Sequence, residues 1–188
     1  LIAMLAGAVG TVGLMLLYHS MTLGLMSVAT PVSALLAASI PVLVGIFKEG
    51  LPEILTVFGF GFALFAVWMI SQVEGGVTKT LRVAHLSDLK LPLLAGLGFG
   101  FYFVLIHEAT SAGAVIWPMV ASRFGGMILI VTYILITRAS WKVEDASAWP
   151  TITLNGILDI SGNLFFILAG QTGRLDVAAV LSSLFPGA

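Results

Sequence analysis

The sequence contains no cysteine. That excludes a disulfide framework, a thiolate nucleophile and a cysteine-ligated metal. Charge is scarce as well. Only 9% of the residues are Asp, Glu, Lys or Arg, against roughly 25% in soluble domains. Eight basic residues nearly balance nine acidic ones, so no basic field suggests a nucleic-acid partner. Catalytic signatures are missing too. His107 and Glu108 are followed by Ala109, Thr110 and Ser111, which is not a zinc-binding HExxH pattern. No P-loop and no GxSxG serine is present, so nothing points to nucleotide drive or to an enzyme. GLGFGF at 96–101 follows no strand and lies in an apolar run, which reads as helix packing rather than phosphate binding. The apolar start lacks a basic flank and runs on into further apolar segments, unlike a signal peptide.

What fills the chain instead is apolar: 59% of the residues are hydrophobic. Residues 1–18, 20–47 and 54–73 carry no Asp, Glu, Lys, Arg or His. About 18 such residues, at 1.5 Å each, suffice to cross a hydrocarbon core of roughly 30 Å. Several of these runs in one short chain leave too little polar surface for a soluble fold. They do not alternate, so they read as helices and not as strands of a membrane barrel. The fold class is therefore an all-α integral membrane protein, a multi-pass helical bundle in the lipid bilayer. Spans are expected at about 1–22, 26–47, 53–71, 91–107, 113–137 and 150–171, with a seventh starting near Asp176. Residues 72–90 form the polar linker. Turns of a few residues join most neighbours, which should pack antiparallel. Gly96 and Gly100 form a GxxxG pair, and Ala6, Gly10 and Gly13 line another segment, both suited to close helix contact. The chain opens on Leu1 and ends at LSSLFPGA, each inside an apolar run, so it is expected to be an internal piece of a longer protein.

A faint repeat divides the chain. GLMSVATPVSALL (24–36) aligns with GRLDVAAVLSSLF (173–185), pairing Gly24 with Gly173, Val28 with Val177, Ala29 with Ala178 and Ser33 with Ser182. In the same register Gly13 falls on Gly162. The two copies are five spans apart, and five-helix repeats enter a bilayer in opposite directions.

Several phrases in this order also resemble the ten-helix EamA-type transporters of the drug/metabolite transporter superfamily. They are SVATPVSALLAASIPVLVGIFKEG, LPLLAGLGFGFYFVLI, WPMVASRFGG and ILDISGNLFFILAGQTGRLDVAAVLSSLFP. The resemblance covers essentially the whole chain. It implies two inverted five-helix repeats, of which helices three to nine are here. Residues 1–72 would be the last three helices of the first repeat, 73–90 the loop between repeats, and 91–188 the first four helices of the second. It further implies a secondary transporter in a bacterial cytoplasmic membrane, exporting small metabolites, amino-acid-like compounds or drugs by alternating access. The partners would be a small-molecule substrate and protons, with no cofactor. A membrane enzyme and a non-transporting scaffold are the rival readings. The family orientation puts both termini in the cytoplasm. Positive-inside counting gives the reverse: Lys79, Arg82, Lys90, Arg138 and Lys142 lie on one side, Lys48 and Arg174 on the other.

Two charges fall inside spans. Asp159 lies in GILDISGNLFFILAG and Arg123 in the span before it. Counting along each expected span puts both about 15 Å deep. Each alone would cost about 2.5–3.5 kcal/mol to insert, and facing each other they offset part of that. Asn163, four residues beyond Asp159, shares its helical face. The trio is either a structural ion pair or a midplane site for substrate or proton, and the sequence leaves both open. His19 can titrate near neutral pH. Tyr102 and Trp117 are candidates for an aromatic cavity wall, with packing or interface anchoring as the alternative. Pro31, Pro41, Pro118 and Pro186 fall within expected spans, where proline frees a carbonyl and bends the helix. No metal site is expected.

Overall fold

A computed structural model describes residues 1–24, 26–50, 54, 57–59, 61–62, 65, 69, 89–110, 113–138, 149–172 and 178. Among these the secondary structure is helical, with no strand. The described residues form the helices α1 (Ile2–Thr22), α2 (Met26–Glu49), α3 (Lys90–Thr110), α4 (Ile116–Thr137) and α5 (Trp149–Thr172). All five are long and apolar enough to cross a membrane. The expected third span is described only at positions 54, 57–59, 61–62, 65 and 69, which are helical. The 72–90 linker up to residue 88, the 139–148 loop, the seventh span apart from Ala178, and Pro186 lie outside the described residues.

Burial runs opposite to that of a soluble domain. The residues hidden between helices are mostly small: Ala3, Ala6, Ala29, Ala34, Ala37, Ala38 and Ala95. The large apolar side chains Leu5, Phe101, Phe124, Ile128 and Phe165 point outward. In water this pattern would expose a continuous apolar surface. In lipid it is the expected one, because hydrocarbon solvates large side chains and small residues let backbones touch.

α3 is the hub. Gly96 meets Ser33 and Leu36 of α2, and Gly100 meets Ile40. Farther along, Lys48 pairs with Glu108. The partners stay about 60 residues apart along the interface, so α2 and α3 run parallel. On another side, Gly98 lies against Gly13, where an added Cβ would sit 2.9 Å from the Gly13 Cα. Tyr102 lies against Gly10. Here the numbers fall in α1 as they rise in α3, so those helices are antiparallel. The expected small-residue contacts thus form, the GxxxG pair on α2 and the Gly10–Gly13 segment on α3. Gly162, which the repeat matches to Gly13, meets no neighbour among the described residues. α4 leans on α1 through Gly7 against Ser122 and Gly125 against Met4. α5 packs on α3 through Phe103 and Phe166, ring centroids 4.5 Å apart.

Helix ends depart from the expected bounds in ways the backbone explains. α2 stops at Gly50, whose φ of 83° is a left-handed turn that L side chains resist. Its N–H donates to the Ile46 carbonyl, 3.1 Å. α3 continues a turn past the expected residue 107, to Thr110. α4 starts three residues later than expected, at Ile116, because Gly113 still holds a φ of 84°. Pro118 therefore sits in the first turn of α4, at the start of its span and not in the interior. First-turn N–H groups have no partner within the helix, so proline breaks no bond there, and the expectation of a bend at Pro118 is corrected. Pro31 and Pro41 do lie inside α2, which continues through both. Pro92 falls in the first turn of α3.

Candidate functional site

Four polar side chains from three helices join in one chain of contacts. Arg123 of α4 reaches Asp159 of α5, Nη2 to Oδ2, 2.7 Å. Asn163, one turn further along α5, donates through Nδ2 to Asp159 Oδ1 at 3.1 Å and to the Asp159 carbonyl at 2.8 Å. Tyr102 of α3 closes the chain, its hydroxyl donating to Asn163 Oδ1 at 2.6 Å. Each carboxylate oxygen of Asp159 thus has its own partner, one charged and one neutral. Such bonds are roughly twice as strong as neutral ones when an ionised group takes part.

The helices place this chain well inside the membrane-crossing segments. Asp159 lies about ten residues past Trp149, and Tyr102 about twelve past Lys90, so both are some 15–18 Å along their helices. Because α4 begins late, Arg123 is only about seven residues in, roughly 10 Å from its start. Its long side chain makes up the difference. That reach matters, since α4 and α5 barely approach each other although they are consecutive, and α4 packs on α1 instead. The ion pair links the two helices, and the side chains of Arg123 and Asp159 are 45% and 57% exposed. Along α5, every residue from 149 to 160 is exposed among the described residues. Pairing offsets part of the cost of holding two charges at that depth.

The other expected participants stand apart. Trp117 is in the first turn of α4 and 79% exposed, a position that suits an interface anchor. His19 is in the last turn of α1, exposed, and its carbonyl accepts a hydrogen bond from the Thr22 hydroxyl at 2.7 Å. Neither touches the polar chain. Tyr102 was expected as an aromatic surface and serves as a hydrogen-bond donor.

A second polar layer sits where α2, α3 and α5 end. Lys48 holds Glu108, and Gln171 Nε2 donates to the Thr110 carbonyl at 3.2 Å. A cavity of about 400 Å³ opens there, lined by His107, Thr110, Gly113, Gly170 and Gln171. Among the described residues, no group of three or more His, Asp or Glu converges on a point where a metal ion would bind. Comparison with protein-family models, curated proteins and solved structures finds no match to the chain.

Proposed function

We propose that the chain belongs to a secondary transporter, an EamA-like exporter of small metabolites, amino-acid-like compounds or drugs, built from two inverted repeats. The observation that carries this reading is the Arg123–Asp159 pair, half-exposed at depth and backed by Asn163 and Tyr102. It links two helices that otherwise pack little on each other. A ligand carrying its own charge or hydrogen-bond donors would exchange with either partner, which is the elementary act of a midplane binding site.

Helix directions lend support to the inverted plan. α1 is antiparallel to α3, and α3 is parallel to α5. α1 and α5, which the backward extension of the repeat pairs through Gly13 and Gly162, therefore run in opposite senses, as inverted repeats require. Alternating access would then come from one half rocking against the other around the polar chain.

The test is flux through the intact protein in proteoliposomes, against a panel of labelled amino acids, small organic acids and cationic drugs with and without a proton gradient. Transport of at least one class is expected, with Asp159→Asn reducing it at least tenfold while inserting normally. Unchanged flux in that variant removes Asp159 from the site, and no flux for any class removes the transporter reading.

A further inference from the structure

We infer that Tyr102 is a positioning residue, which, seated on Gly10 of α1, holds the side-chain amide of Asn163 in place against the Asp159 carboxylate. An asparagine amide has an acceptor end and a donor end. The Tyr102 hydroxyl occupies the acceptor at 2.6 Å. The Nδ2 end donates to Asp159 Oδ1 and to the Asp159 carbonyl. If the amide turned over, Oδ1 would face these two acceptors, so Asp159 sets its orientation. The Tyr102 hydroxyl, from a different helix, then fixes where that amide lies.

The seat of Tyr102 is equally specific. A Cβ on Gly10 would lie 2.9 Å from Tyr102 Cδ2 and 3.1 Å from Cγ. The absence of a side chain at position 10 lets the ring lie on the α1 backbone. Phe103 flanks it on the other side, with ring centroids 5.5 Å apart. A ring fixed in this way presents its hydroxyl at one height along α3. α3 and α5 are joined again at their ends by Gln171 and Thr110 and between by Phe103 and Phe166. No comparable set of contacts ties α4 to α5. Asp159 is therefore tied to α3 through Asn163 and Tyr102, independently of its pair with Arg123.

The consequence for transport rests on the proposed function, whereas the positioning itself does not, and infrared spectroscopy separates the two. The protein carries aspartate at 88, 145, 159 and 176. With isotope-labelled aspartate in the full-length protein in liposomes, the difference between the parent and Asp159→Asn isolates the Asp159 carboxylate band. Tyr102→Phe keeps the ring on Gly10 and removes only the hydroxyl. It is expected to move that band as Asn163→Ala does, and Gly10→Ala to move it in the same direction. Arg123→Lys serves as the control that perturbs the other oxygen. A band that stays at the parent position in Tyr102→Phe overturns the inference, as does one that stays in Asn163→Ala. Either result is read without any flux, so a failed transport assay and a failed positioning role are distinguishable.

Discussion

Lys48 ends α2 and pairs with Glu108 at the end of α3, 60 residues later. The two helix ends therefore lie on one side of the bundle. Gln171 and Thr110 bring the end of α5 to the same side. Helices that run parallel in a membrane need an odd number of crossings between them. α4 supplies the crossing between α3 and α5, and the segment holding the helical positions 54–69 is the sequence available between α2 and α3.

Cysteine scanning tests this arrangement on a background that needs no prior removal of thiols. Single cysteines at Gly50, Gly113 and Thr172 are expected to react with an impermeant maleimide from one face of sealed vesicles. Cysteines at Leu23 and Arg138 are expected to react only from the other. Labelling of Leu23 and Thr172 from the same face would end both the helix directions and the inverted repeat.

The Arg123–Asp159 pair makes a second prediction. Arg123→Leu or Asp159→Leu alone leaves an uncompensated charge at depth and is expected to destabilise the folded protein by about 2–3 kcal/mol. The double variant removes both charges and should recover most of that loss, since paired charges replaced together are often neutral. Chemical unfolding in detergent measures the stability. In the same double variant, transport should stay lost.

Glycines divide into two groups by what surrounds them. A Cβ at Gly7 would overlap the Ser122 carbonyl, and one at Gly125 would overlap that of Met4. Backbone cannot move aside as a side chain can, so Gly7→Ala and Gly125→Ala should each separate α1 from α4 and cost about 2–4 kcal/mol, the scale of an overpacked core. At Gly156 nothing lies within 4 Å among the described residues. Gly156→Ala should instead stabilise α5 by about 0.5–1 kcal/mol through helix propensity. Thermal unfolding of the three variants, compared side by side, checks the ranking.

The Lys48–Glu108 pair should matter much less. Both side chains are about half exposed, and exposed pairs are worth about 0–1 kcal/mol. Glu108→Gln should shift the unfolding midpoint little, and exchanging the two residues should restore it. A large loss in Glu108→Gln would mean that this end of the bundle is drier than its exposure indicates.

Much of the scaffold was legible because lipid imposes a simple rule: a helix must be long and nearly free of charge. That rule located α1, α2, α3, α4 and α5 to within a turn. It also made Arg123 and Asp159 conspicuous, as two opposite charges in consecutive spans with few other polar groups at that depth. The terminal residues were harder, because Gly113 reads as part of an apolar run until its positive φ is known. That shift of three residues turned Pro118 from a bend into a helix opening. Tyr102 was the larger omission. Its partner lies 61 residues away on a helix that is not its sequence neighbour. Local spacing carries no information about parallel, non-consecutive helices. The usable signal was depth: a tyrosine about twelve residues into one span and an asparagine about fourteen into another lie at nearly the same height.

The position of α3 has a bearing on biogenesis. α1 and α2 are neighbours in the chain, yet both bury their small-residue faces chiefly on α3 and only slightly on each other. As the polypeptide leaves the ribosome, α1 and α2 enter the bilayer without their main docking surface. They must wait in lipid, with Ser33 and the Gly10–Gly13 face unsheltered, until residue 110 has been synthesised. Assembly of this bundle is thus gated by translation, and a stall ahead of α3 would leave an orphaned hairpin for membrane quality control to find.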